Sequence, residues 1–137
     1  MGRILAIDFG KRHIGLAVSD ETKMIAIGLN TIHYTNKKEM VQKLRNIIKE
    51  KEVEKIVLGY PLSMLGNITQ IGLDVLDFKK LLETEFALSV ELLDERFTTE
   101  MSKGILREMG KKPIHRKSVI DKISAMIMLE DYLRNQK

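Results

Sequence analysis

The run Ile4-Leu5-Ala6-Ile7-Asp8-Phe9-Gly10-Lys11-Arg12-His13-Ile14-Gly15-Leu16-Ala17-Val18-Ser19-Asp20 decides how this chain folds. Its first four residues are apolar and short in extent, the pattern of a strand buried at the centre of a sheet. Asp8 closes that strand, Gly10 turns the backbone, and Lys11, Arg12 and His13 set cationic or polar groups beside the carboxylate. Ile14, Leu16 and Val18 then alternate with Gly15, Ala17 and Ser19, which is the period of two of a second strand. A carboxylate at the tip of a central strand, next to cations, can hold a metal ion against a phosphate. Taken alone, the same run is also a strand stopped by a turn-favouring Asp-x-Gly.

Working outward, the pattern predicts strands over about 3–8, 12–19 and 24–33, joined in an antiparallel meander through a turn at Asp20 to Lys23. A helix over about 37–51 follows, with Met40, Leu44, Ile47 and Ile48 on one face. A fourth strand, Lys55 to Gly59, ends at Tyr60-Pro61, and a loop through Gly66 and Asn67 leads to a helix carrying Ile71, Val75, Phe78 and Leu82 at helical spacing. A fifth strand is expected over about 89–94, with helices over about 99–109 and 119–134. This order describes an α/β protein: one domain over residues 1–137, built on a mixed five-stranded sheet with helices on both faces.

Composition narrows the function. The chain has 137 residues, 44% of them hydrophobic and 31% charged, and no cysteine, so disulfides and thiolate metal sites are excluded. His13, His33 and His115 lack the spacing of a zinc site. No apolar run reaches the roughly 18 residues of a membrane helix, and Met1 is followed at once by the first strand instead of a signal peptide. A cytoplasmic protein with no membrane partner is expected. A net charge of +4 is concentrated late in the sequence, densest in Lys111-Lys112-Pro113-Ile114-His115-Arg116-Lys117, which reads as a basic loop. Aromatic residues make up only 5%, so a nucleic acid would be gripped by its backbone charge and not by base stacking.

Two further acidic positions stand where a crevice can form. Asp94-Glu95-Arg96 falls at the end of the fifth strand, and strand ends of open α/β sheets are where ligands bind. Ser118-Val119-Ile120-Asp121 reads as a capping box that starts the last helix. Yet Asp121 also heads a helical stripe continued by Ala125, Met128 and Tyr132, so its carboxylate faces inward. There it needs a neutralising metal, lysine or arginine.

Four segments in register resemble the YqgF family: the run from Asp8 to Asp20, Gly59-Tyr60-Pro61, Asp94-Glu95-Arg96-Phe97-Thr98-Thr99, and Val119-Ile120-Asp121-Lys122-Ile123-Ser124-Ala125. The resemblance spans essentially the whole chain. It implies a ribonuclease-H-like fold and a nuclease that acts on pre-16S rRNA or, alternatively, resolves Holliday junctions. It further implies three catalytic, metal-binding acids, Asp8, Glu95 and Asp121, with Asp94 as an alternative to Glu95. Arg12 and Arg96 match family positions suited to bidentate phosphate contacts, with Lys11 as a further candidate. Three departures stand out. Tyr60 replaces an aliphatic residue, Ser63-Met64-Leu65-Gly66 replaces an Asn-Met-Asp-Gly run, and Ser124 replaces an alanine; none touches the three acids.

The chemistry expected from this set is hydrolysis of phosphodiesters assisted by two Mg²⁺ or Mn²⁺ ions. Lys112, Arg116 and Lys117 of the basic segment would clamp the strand next to Asp121. A non-catalytic RNA-binding assembly factor is the main rival, and it predicts RNA binding that survives loss of the acids. An ATP-binding sugar-kinase or actin-like protein would need two such units. Monomer and homodimer are both compatible with the sequence, a junction enzyme requiring the dimer.

Overall fold

A computed structural model describes residues 2–10, 12–61, 69–94 and 113–135, with side chains given for all of these except 113–119. Five strands, β1 (Arg3–Phe9), β2 (His13–Ser19), β3 (Ala26–His33), β4 (Val53–Tyr60) and β5 (Ser89–Asp94), form one sheet in the order β3-β2-β1-β4-β5. β1, β2 and β3 pair antiparallel, while β1, β4 and β5 run parallel. This is the mixed sheet that the sequence predicts.

Local chemistry sets the joints. In the β2–β3 turn the Asp20 carboxylate accepts the Thr22 hydroxyl at 2.5 Å and the amides of Met24 and Ile25 at 2.9 and 3.0 Å. These bonds hold the Asp20 carboxyl down to about 2, with the Thr22 hydroxyl as the largest cause. Helix α1 (Lys37–Glu50) starts at Asn36, whose side chain accepts the Glu39 amide at 2.8 Å, while Glu39 accepts the Thr35 amide at 2.7 Å. Each end of that exchange satisfies a donor the first helical turn would otherwise leave open. Helix α2 (Gln70–Phe86) is capped in the same way by Thr69 and stops at Ala87, which takes a left-handed φ of 53°.

Strand alternation divides the core. Leu5, Ile7, Ile14, Leu16, Val18, Ile56 and Leu58 point to one face and pack with Leu44 of α1 and Val75, Phe78 and Leu82 of α2. Ile4, Ala6, Ala17, Ala26 and Val57 point to the other. There they meet Ala125, Met128, Leu129, Tyr132 and Leu133 of the last helix, α3 (Pro113–Arg134).

Helix α3 corrects two expectations. It begins at Pro113 instead of about 119, so Ser118 lies inside it and the Ser118-to-Asp121 segment is not a capping box. Residues 113–117, expected as part of a basic loop, are helical. Proline suits that start, because its ring fixes a helical φ and the first turn needs no amide from it. Asp121 therefore sits about two turns into the helix. The predicted stripe is present: Ala125, Met128 and Tyr132 are buried beneath it. The helix expected over 99–109 and the loop over 62–68 lie outside the described residues.

Candidate active site

The parallel strands β1, β4 and β5 all end on the same edge of the sheet, at Phe9, Tyr60 and Asp94, while β2 begins there at His13 and β3 ends there at His33. Ligand crevices in open α/β sheets form at this edge. Asp8 continues the alternation of Ile4 and Ala6, so its side chain is on the α3 face. Behind it, on the opposite face, the ring of Phe9 packs against Phe78 with centroids 4.5 Å apart, which anchors the strand end.

Asp8 pairs directly with Gly15 of β2. A Cβ at Gly15 would lie 2.3 Å from the Asp121 carbonyl oxygen and 2.9 Å from the Asp121 Cβ. The lack of a side chain at Gly15 thus lets the backbone of α3 rest on β2. That contact sets Asp121 beside the strand position opposite Asp8. Two acids more than a hundred residues apart in sequence thus both border the same glycine.

His13 lies on the same face as Gly15 and Ala17, and its Nε2 stands 3.2 Å from Asp121 Oδ2; both side chains are 16% exposed. The sequence reading expects a metal, a lysine or an arginine to neutralise Asp121; among the described residues this imidazole, cationic when protonated, is an ionic neighbour. His13 also pairs with His33 across β2 and β3, their ring centroids 6.1 Å apart. Neither contact follows from sequence spacing. The His13–His33 pair follows from the β2–β3 register, and the His13–Asp121 contact from the seating of α3 on β2.

The connection after β3 is fastened to the turn after β1. The Tyr34 hydroxyl donates to the Gly10 carbonyl at 2.8 Å, and the Tyr34 amide donates to the Arg12 carbonyl at 3.0 Å. Burial raises the pKa of the Tyr34 phenol, which keeps it a hydrogen-bond donor. Arg12 is exposed at this rim.

Asp94, the alternative to Glu95, continues the alternation of Val90 and Leu92 and pairs with Tyr60, so it stands on the α1–α2 face, away from Asp8. Glu95, Lys11, Arg96 and Lys112 lie outside the described residues, and Arg116 and Lys117 are placed only by the backbone of α3. Among the described residues no group of three or more metal-ligating side chains converges. The donors that are placed, the carboxylates of Asp8 and Asp121, are hard oxygen ligands of the kind Mg²⁺ and Mn²⁺ select, and they fit such an ion. No described helix is long and apolar enough to cross a membrane.

Comparisons with known proteins bear on the family and the fold. A family model described as "RuvX: Holliday junction resolvase" matches residues 2–135. A protein of Koribacter versatilis is 40% identical over 135 residues, covering 98% of this chain and 88% of its own length. One from Clostridioides difficile is 41% identical over 132 residues, covering 96% and 94%. Both carry the name "Putative pre-16S rRNA nuclease". Among solved structures, Thermus thermophilus RuvC in complex with a Holliday junction substrate aligns with a TM-score of 0.63 at 13% identity, over 100% of this chain and 98% of that one. The fowlpox virus resolvase bound to junction DNA aligns at 0.61 and 10% identity, over 98% of each. At such identities the structural likeness speaks for the fold, a ribonuclease-H-like sheet shared with these resolvases. With the family model spanning nearly every residue and two relatives at about two-fifths identity, this chain belongs to the RuvX family, the one its sequence motifs resemble.

Proposed function

We propose that the chain is a metal-dependent endonuclease, a single domain that hydrolyses phosphodiester bonds at the 5′ end of pre-16S rRNA in the cytoplasm during ribosome biogenesis. The observation that carries this reading is the seating of Asp121 on Gly15, opposite Asp8. The names of the Koribacter and Clostridioides relatives point to the RNA substrate. Asp94 faces away from Asp8, so Glu95 is assigned as the third acid.

Asp8, Glu95 and Asp121 would hold two Mg²⁺ or Mn²⁺ ions, which when bound supply an activated water and stabilise the leaving oxygen. The remaining roles belong to the chain itself. The β1–β2 pairing and the Phe9–Phe78 contact hold Asp8 fixed. His13 orients the Asp121 carboxylate. Arg12, with Lys11 and Arg96, contacts substrate phosphates, where a guanidinium can make two parallel bonds. Lys112, Arg116 and Lys117 hold the strand further from the cut.

The test sets Mg²⁺-dependent cleavage of a pre-rRNA 5′ end beside cleavage of a four-way DNA junction, with Asp8→Asn and a metal-free sample as controls. The proposal expects the RNA to be cut and the variant to be inactive. Cutting of the junction alone would move the assignment to branched DNA, the reading favoured by the family description and one that requires a homodimer. Cleavage of neither, with RNA still bound, would leave a non-catalytic assembly factor.

A further inference from the structure

Many of the described cations are engaged by acids. Arg45 reaches Glu85 at 3.2 Å, Lys79 reaches Glu83 at 3.0 Å and Lys55 faces Glu91 at 3.7 Å. Lys43 contacts Glu39 at 3.7 Å and donates to the His33 carbonyl at 2.9 Å. Arg12, Lys37 and Lys38 differ: each is exposed, and none has an ion pair among the described residues. Lys49, Lys80 and Arg134 also lack one; Lys49 and Arg134 stand in the last turns of α1 and α3, where the helix dipole favours a cation, and Lys80 stands in the C-terminal half of α2. Lys37 and Lys38 stand in the first turn of α1, where the dipole opposes them, so the helix does not account for their charge.

The segments that carry these three cations are neighbours. The two Tyr34 hydrogen bonds fasten the segment after β3 to the turn that carries Arg12, and α1 begins three residues beyond Tyr34. The His13–His33 pair lies between this rim and Asp121. Unpaired cations therefore stand in the first turn of α1 and at the neighbouring Arg12, on the sheet edge where β1 ends after Asp8.

We infer that Arg12, Lys37 and Lys38 form a track for the phosphodiester backbone of a nucleic-acid strand, which enters the acidic site from the β3 side. Lysine reads phosphate as a point charge and carries no base information, so the track takes RNA and DNA alike. Where the track leads rests on the nuclease reading above; that it binds a strand does not.

The experiment measures binding of one labelled single strand, in RNA and DNA versions of the same sequence. It is done without divalent metal, over salt from about 50 to about 200 mM. The full-length protein is compared with Lys37→Gln/Lys38→Gln and with Lys49→Gln as a control of equal charge type on the same helix. Loss of two phosphate contacts flattens the slope of log K against log salt by about 1.4 in both strands, while Lys49→Gln leaves it unchanged. Turnover of a small phosphodiester such as bis-p-nitrophenyl phosphate stays at the wild-type value in the double variant, because the altered residues lie off the acids. An unchanged slope in the double variant overturns the track, as does wild-type binding that ignores salt. A flattened slope in a protein that cleaves nothing keeps the track and removes the nuclease reading. A flattened slope for RNA only shows that the site reads the 2′-hydroxyl, and overturns the backbone track in this form.

Discussion

Towards α1 and α2 the central strands present leucine, isoleucine and valine, whereas towards α3 the same strands carry Ala6, Gly15, Ala17 and Ser19. The first face is filled by side-chain volume, with Leu5, Ile7, Leu16, Leu44, Ile56, Leu58 and Leu82 fully buried. On the second, small residues let a helix approach until its backbone touches a strand. Volume gives stability, because each buried methylene removes apolar surface from water. Its absence gives placement, because a helix resting directly on a strand has little room to shift. Asp8 and Asp121 belong to the second face.

Four experiments would sharpen or break this division. Asp121→Asn, on the α3 face, should lower metal-dependent cleavage by about a hundredfold to a thousandfold while the protein stays folded. Near-wild-type turnover would detach Asp121 from the chemistry. Leu44→Ala, on the other face, should cost about 2–5 kcal/mol in urea unfolding and leave turnover per folded molecule unchanged. A matching fall in turnover would mean that the two faces are not separate in function.

Gly15→Ala tests placement itself. Its new methyl would meet backbone, which cannot swing aside, so we expect about 1–3 kcal/mol of destabilisation together with a loss of cleavage. The same change at Gly28 would meet the Met126 sulfur at 2.6 Å and the Lys122 stem at 2.9 Å. Both are flexible side chains, so Gly28→Ala should cost less and keep most activity. Equal losses at the two glycines would argue against backbone contact as the cause.

The smallest effect concerns the hairpin that joins β2 to β3. The Asp20 carboxyl is held at about 2, below its ordinary 3.8, so its bonds contribute fully above that ordinary value and fade as pH falls through about 2. Protection of the Met24 and Ile25 amides against hydrogen exchange should be level at neutral and mildly acidic pH and drop only in strong acid. In Asp20→Ala the protection should be low throughout. A drop near neutrality in the unaltered protein would assign it to another group.

Much of the fold was legible because the strands keep clean periods. The short apolar run at 4–7 and the alternation from Ile14 to Ser19 each read as a strand, separated by the turn at Gly10. Asp8 at a strand end and the inward stripe under Asp121 were legible for the same reason. The start of α3 was not, because Ser118-x-x-Asp121 imitates a capping box, and the better signal was Pro113 at a position where a helix tolerates a missing amide. The His13–Asp121 contact was also hidden, since it depends on how closely α3 approaches β2, a distance that Gly15 sets. That Asp94 stands on the face away from Asp8 emerged only once the register of β5 on β4 had put it opposite Tyr60.

The pairing of Gly15 with Asp121 has a consequence in time as well as in space. Asp8, on β1, is synthesised more than a hundred residues before Asp121, on α3. A partly synthesised chain can complete the β1–β2–β3 meander while the second acid is still missing, since folding during synthesis runs from the N-terminus. On the proposed nuclease reading, a chain that ends short of Asp121 has an incomplete site. Ribosome-stalled chains ending before Asp121 should be inert, and those long enough to expose all of α3 should cleave.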